Sequence, residues 1–151
     1  KQTHDNVRDL THKLLPPLLA KFGLFHAVQD LSEKNSNSVL QFEYSSYISD
    51  GRRYSEEFEM RIYFIITELF NNIMKHSNAS KAYITFEENA NRLLITLEDD
   101  GKGFDTSKEL SSDGFGLTQI KSRIKHLKGS ININSKINAG TLIYINLPIP
   151  K

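Results

Sequence analysis

The sequence predicts an α+β fold: a two-layer sandwich in which a mixed, mostly antiparallel sheet of about five strands is covered on one face by helices. Three observations lead there. Segments that alternate apolar and polar residues recur along the chain, and several are close enough in sequence to pair antiparallel. Two or three longer segments carry apolar residues at the spacing of an amphipathic helix. Strands and helices do not alternate one for one, which argues against a doubly wound parallel sheet. With 151 residues, 38% hydrophobic and 25% charged, the chain has the material for one domain with a real core.

Residues 6 to 15 hold Val7, Leu10, Leu14 and Leu15 at helical spacing and predict the tail of a helix. Pro16-Pro17 breaks it, because the residue before a proline avoids the helical region. Residues 18 to 34 resume the helical pattern through Phe22, Leu24, Ala27, Val28 and Leu31, with Gly23 as an interruption. After the turn cluster 35 to 38, Leu40, Phe42 and Tyr44 alternate with polar residues, as in a half-buried strand. Residues 49 to 53 form a polar connection. Ser55 is placed to cap the next helix, and Glu56 and Glu57 suit its first turn. Phe58, Ile62, Ile65, Ile66, Leu69 and Ile73 give that helix an apolar face to about His76.

Two strands follow, with Ala82, Ile84 and Phe86 on one face of the first and Leu93, Ile95 and Leu97 on one face of the second. A hairpin turn is expected across residues 88 to 91. The second strand leads into Asp99-Asp100-Gly101-Lys102-Gly103. Residues 104 to 113 are polar and serine-rich and predict a mobile loop. Gly114-Phe115-Gly116 opens another helix to about Lys128, with Leu117, Ile120, Ile124 and Leu127 inward and Gly129 as its stop. Two last strands, near 130 to 135 and 141 to 147, are joined by a turn at Asn138-Ala139-Gly140.

Composition excludes several classes. The formal net charge is +1, so no global field argues for nucleic acid or an acidic membrane. The absence of cysteine removes disulfides, thiolate zinc sites and a cysteine nucleophile, and fits a reducing compartment. No apolar run approaches the roughly 18–20 residues that span a bilayer, and no signal peptide is visible. The chain opens at Lys1 without a methionine, and is expected to be a fragment of a longer protein.

The chemistry concentrates in three places. Glu68, Asn72, Lys75 and His76 lie four, seven and eight residues apart. On a regular helix they share one stripe, at the border of the apolar face. A carboxylate, an amide, an ammonium and an imidazole so placed can hold a metal, touch phosphates and accept a proton. The plainer alternative is a solvated helix face with an incidental histidine. Strand parity singles out two more groups. Asp99 continues the inward face of Leu93, Ile95 and Leu97, and Thr141 shares parity with Ile143, Ile145 and Leu147. A carboxylate aimed at a core needs a partner, so both residues suit the polar edge of a planar ligand; otherwise they are a turn and a strand start. Third, Gly101-x-Gly103 and Gly114-x-Gly116 flank the loop. Glycine admits close backbone approach, and Gly116 stands where a helix begins and favours phosphate. Neither pair is a Rossmann or P-loop pattern. His4, His12, His26 and His126 show no metal-ligand spacing. Lys121, Lys125 and Lys128 form a basic stripe that reads as a solvated face.

Taken in order, these motifs resemble the ATP-binding domain of bacterial sensor histidine kinases, of the GHKL superfamily, whose fold is of the Bergerat type. The segment Glu68-x-x-x-Asn72-x-x-Lys75-His76 looks like its N box. Asp99-x-Gly101-x-Gly103 and Gly114-x-Gly116-Leu117 look like its glycine boxes, and Gly140-Thr141 with a strand ending in Leu147-Pro148 looks like its end. The run Leu10-Thr11-His12-x-Leu14-x-Pro16-x-x-Leu19-x-x-Phe22-Gly23-Leu24 is similar to the lead-in of the nitrate-sensor subfamily.

The resemblance implies roles. Asn72 would coordinate Mg²⁺ together with the phosphates of ATP, Glu68 would act as base, and Lys75 and His76 would contact phosphate. Asp99 would accept from the adenine amino group with Thr141 in support. Gly101, Gly103, Gly114, Gly116 and Leu117 would shape an ATP lid over about 104–115. Residues 1–17 would end a dimerisation and phosphoacceptor helix and its linker, and 18–151 would form the catalytic domain. The acceptor histidine would lie upstream of Lys1, since His12 matches a position near the end of the second dimerisation helix. The implied partners are the dimerisation and histidine-phosphotransfer domain of the parent chain, as a homodimer, and a response regulator with a helix-turn-helix output domain. No direct contact with nucleic acid or membrane is implied for this fragment. Its expected place is the cytoplasm, tethered to a membrane sensor through the missing N-terminal part. The competing readings are a serine kinase of the anti-sigma type, a non-catalytic ATP-sensing module, and a helical interaction protein without ATP.

Overall fold

The computed structural model describes residues 16–105 and 117–151. Within them the order is α1 (Pro17–Phe22), α2 (Leu24–Asn35), β1 (Gln41–Ser46), α3 (Glu56–Asn72), a π-helical turn (Ile73–Ser77), β2 (Lys81–Asn89), β3 (Arg92–Asp99), α4 (Leu117–His126), β4 (Ser130–Ser135) and β5 (Thr141–Pro148). The expected tail of a helix before Pro16, His12, most of the loop and both Gly114 and Gly116 lie outside the described residues.

The sheet has five strands in the order β1-β2-β3-β5-β4. The β1–β2 pair is parallel, and the β2–β3, β3–β5 and β4–β5 pairs are antiparallel. The expected α+β sandwich with a mixed sheet is therefore present. It contains one β-helix-β unit, β1-α3-β2, at one edge. Alternation along the strands decides the layers: Ala82, Ile84, Phe86, Leu93, Ile95, Leu97, Ile143, Ile145 and Leu147 are all buried, while Tyr83 and Tyr144 face out and are exposed. Ile62, Ile65, Ile66, Leu69 and Phe70 of α3 join the same core as the strand residues. Each fully buried aliphatic side chain contributes about 1.5–3 kcal/mol through lost contact with water. The Phe42 and Phe70 rings stack at 4.3 Å and close the contact between β1 and α3.

Local signals account for the ends of the elements. Pro17 opens α1 and Gly23 separates it from α2, so residues 18 to 34 form two helices rather than one. Ser55 caps α3, its side chain accepting from the Phe58 amide at 3.3 Å. The hairpin between β2 and β3 is tighter than the four residues expected: Ala90 and Asn91 alone turn the chain, both at positive φ. Two residues with φ > 0 are what a short hairpin needs to match the strand twist. At the end of α4 it is Lys128, at φ 62°, that takes the left-handed position, while the Gly129 amide donates to Ile124. Gly129 is thus one residue beyond the position that favours glycine.

One strong interaction has no signature in the sequence pattern. Glu59, on α3, is 1% exposed. Its carboxylate accepts from the Arg53 guanidinium at 3.2 Å and from the Tyr54 amide at 3.1 Å. The pair fixes the approach to α3.

Candidate functional site

The C-terminal end of β3 and the start of β5 meet at one register position, where Asp99 lies opposite Thr141. Both continue the inward faces of their strands, as parity requires. Asp99 is 8% exposed, and its Oδ1 accepts from the Gly101 amide at 2.8 Å. Burial pushes its carboxyl above the ordinary value; the Gly101 N–H opposes that, and the charges of Asp100 and Glu98 add to it. Asp100 points the other way. It accepts from the Ser80 hydroxyl at 2.6 Å and from the Ser80 and Lys81 amides, and these donors, the hydroxyl first, hold its carboxyl below the usual range.

The first glycine box is sewn between two elements. The Lys102 amide donates to the Ser77 carbonyl at 2.7 Å, and the Asn138 amide donates to the Lys102 carbonyl at 2.5 Å. The Phe104 amide donates to Ser135 Oγ at 2.9 Å. A Cβ on Gly101 would meet the Ser77 carbonyl and lie 2.9 Å from Asp99 Oδ1. Gly103 has φ +62°, and a Cβ there would meet the carbonyls of Lys136 and Gly140. Glycine is required at both positions, for space at the first and for backbone conformation and space at the second.

From the helix side, α3 is regular as far as Asn72 and then widens into the π-helical turn. Ser77 Oγ donates to the Ile73 carbonyl at 2.6 Å and accepts from the Ala79 amide at 3.0 Å. Asn78 ends the turn in the left-handed conformation. Single π turns inside helices recur at functional sites. Within this turn His76 is half-buried, whereas Lys75 is exposed.

A cavity opens between these two sides. Its polar lining is Asn72, His76, Ser77, Asp99 and Thr141, and its apolar walls include Leu69, Ile73, Phe104, Leu117 and Ile143; Gly103 also borders it. The structure so brings together Asn72, His76, Asp99, Gly103, Leu117 and Thr141 of the expected site residues. Glu68, Lys75 and Gly101 are not part of the lining. Ser77 and Phe104 are additions to the lining, and Ser135 stands behind it, bonded to Phe104 and Thr141. Ser77 follows directly on His76, and Phe104 on Gly103, so adjacency to the motifs was their only signal. An apolar-walled cavity with a carboxylate in its lining suits a planar heterocycle bearing an amino group. Among the described residues no group of three or more His, Asp or Glu side chains is placed to hold a metal ion. The Asn72 amide oxygen suits magnesium only in company with phosphate oxygens.

Residues 57–151 match the model of the histidine kinase-, DNA gyrase B- and HSP90-like ATPase family. The chain belongs to that family. ATP is the nucleotide the family's domain takes, and the cavity has the character such a ligand needs. The chain is similar to the signal transduction histidine-protein kinase/phosphatase DegS of Brevibacillus brevis, with 30% identity over 149 residues, 99% of this chain and 38% of that protein. It is also similar to the oxygen sensor histidine kinase NreB of Staphylococcus carnosus (strain TM300), with 27% identity over 146 residues, 96% of this chain and 42% of that protein. The chain thus spans well under half the length of either relative. Among solved structures, the histidine kinase domain of the blue-light activated histidine kinase from Erythrobacter litoralis EL346 superposes with a TM-score of 0.68 at 18% identity, covering 83% of this chain and 59% of that one. The histidine kinase AdeS of Acinetobacter baumannii gives 0.61 at 22% identity, covering 85% and 62%. At those identities the likeness establishes the fold. No helix among the described residues is long and apolar enough to cross a membrane.

Proposed function

We propose that the chain is the ATP-binding catalytic domain of a two-component sensor histidine kinase. It transfers the γ-phosphate of ATP to a histidine on a dimerisation helix of its parent chain, from which the phosphate passes to a response-regulator aspartate. The observation that carries this is that Asn72 and His76, from the helix side, line one cavity with Asp99 and Thr141, from the strand ends. The strand-end pair suits the base and the helix-end pair suits the phosphates. The kinase relatives favour a histidine as acceptor over the serine of an anti-sigma kinase.

The residues divide the work. Asp99 accepts from the adenine amino group, and the apolar walls exclude water around the ring. Asn72 holds Mg²⁺, which neutralises charge on the phosphates during transfer. His76 and Lys75 contact phosphate; exposed Lys75 reaches it from the helix end beyond the cavity lining. Glu68, one turn before Asn72 on α3, draws the proton from the attacking imidazole. Catalysis is then mainly positioning and charge neutralisation, as phosphoryl transfer requires. The working unit is a homodimer of the parent chain, acting on a regulator with a helix-turn-helix output domain in the cytoplasm.

The test is Glu68→Gln in the parent kinase. ATP binding is expected to persist while transfer to histidine is lost. Transfer at the wild-type rate would remove Glu68 from the base role.

A further inference from the structure

Ser135, at the end of β4, does not line the cavity, yet its hydroxyl touches that of Thr141, which does. Ser135 Oγ has three neighbours at hydrogen-bond distance: the Phe104 amide at 2.9 Å, the Gly140 carbonyl at 3.0 Å and Thr141 Oγ1 at 2.8 Å. A hydroxyl donates once and accepts twice. The Phe104 amide can only donate and the Gly140 carbonyl can only accept. If Ser135 gives its proton to Gly140, Thr141 gives its own to Ser135, and all three bonds form. If Ser135 gives its proton to Thr141, the Gly140 contact has no proton. Half-buried polar groups favour the arrangement that leaves none unmatched.

We infer that Ser135 takes the proton of Thr141, so that Thr141 meets a ligand with lone pairs only, and that this makes Ser135 a positioning residue for base specificity. Ser77 behaves alike, because its proton is already committed to the Ile73 carbonyl. Ionised Asp99 can only accept. The inner end of the cavity therefore has three polar groups that accept and none that donates. Such an edge takes a primary amine, or a water that donates twice, and rejects a carbonyl in the same place. The 6-amino group of adenine fits that place; the 6-carbonyl of an oxopurine does not. This deepens the proposed function and rests on its placing of the base at Asp99.

The experiment is calorimetric titration of the whole chain with Mg-ATP and with Mg-ITP, in which a carbonyl replaces the amine. Wild type, Ser135→Ala, Ser135→Thr, Thr141→Val and the Ser135→Ala/Thr141→Val pair are compared, with thermal melts as a control for folding. Wild type is expected to prefer ATP. Ser135→Ala frees the Thr141 proton to turn toward the carbonyl and narrows the ATP/ITP ratio by about three- to tenfold, the worth of one hydrogen bond. Ser135→Thr keeps the wild-type ratio. Thr141→Val lowers ATP affinity and spares ITP, and adding Ser135→Ala to it leaves the ratio where Thr141→Val put it. Equal losses for both nucleotides in Ser135→Ala would mean a merely structural role and overturn the inference. So would a narrowing that persists with Val at 141, or equal losses in Thr141→Val should Ser135→Ala not fold. A wild type that binds neither nucleotide would overturn the base site itself, whereas binding with an unmoved ratio would overturn Ser135 alone.

Discussion

The two ends of the cavity are built by different means. At the strand end, Asp99 and Thr141 are register partners in adjoining antiparallel strands, and neighbouring hydroxyls and amides fix them from behind. At the helix end, Asn72 closes a regular helix and His76 belongs to a π-helical turn, where the backbone ladder has already shifted. The first arrangement is stiff, because sheet pairing and buried hydrogen bonds hold each atom twice. The second is rooted in the core by Ile73 alone of its five residues, and its polar side chains lie nearer solvent. A base recognised by shape and hydrogen bonds needs the first kind of site. A triphosphate whose terminal group must move to an acceptor needs the second.

The comparison is broken most directly at Asp99. Asp99→Asn removes a charged acceptor from the strand end and leaves the helix end intact, so ATP affinity should fall about ten- to a hundredfold by calorimetry. The same carboxyl sharpens the contrast through pH. Its pKa is raised chiefly by burial, so on acidification it takes up a proton earlier than an ordinary carboxylate. ATP affinity should decline through that window, since the protonated group accepts poorly. Folding stability should move the other way, because a raised carboxylate pKa means that the charged form costs stability above the window and the cost vanishes below it. Titrations of binding and melting temperature against pH should run in opposite directions for wild type, and both trends should weaken in Asp99→Asn.

A second way to break it lies far from the cavity. Arg53→Ala leaves the Glu59 carboxylate buried without its cation. Arg53 is itself 42% exposed, so the loss is below that of a fully buried pair, about 2 kcal/mol by denaturant unfolding. ATP affinity should stay within twofold of wild type, since neither site end depends on this contact. Smallest is Lys128→Gly. It relieves a left-handed residue at the end of α4 and should stabilise by about 0.5–1 kcal/mol in the same unfolding measurement.

The two ends also differ in how far they could be read from the sequence. Asp99 and Thr141 were legible because a strand has a period of two, and a polar residue that continues an apolar face can be counted onto the inside. The α3 stripe was legible only as far as Asn72. Nothing in Ile73-Met74-Lys75-His76-Ser77 signals that the ladder widens there, and Lys75 and His76, expected on one stripe, differ in exposure. Ser135 was illegible for another reason: its partners Phe104 and Thr141 come from other segments and meet it only when the sheet closes. The Arg53–Glu59 pair is likewise set by how a loop enters a helix, and Ala90 turns a hairpin against its own preference because Asn91 and the flanking strands hold it. Periodicity reports faces; it is silent on contacts made between segments.

The most direct measurement of the central claim is calorimetric titration of the wild-type chain with Mg-ATP and Mg-GTP at neutral pH. A cavity with acceptors at its strand end predicts saturable binding of ATP at least tenfold tighter than GTP. Equal affinities, or none for ATP, would contradict it.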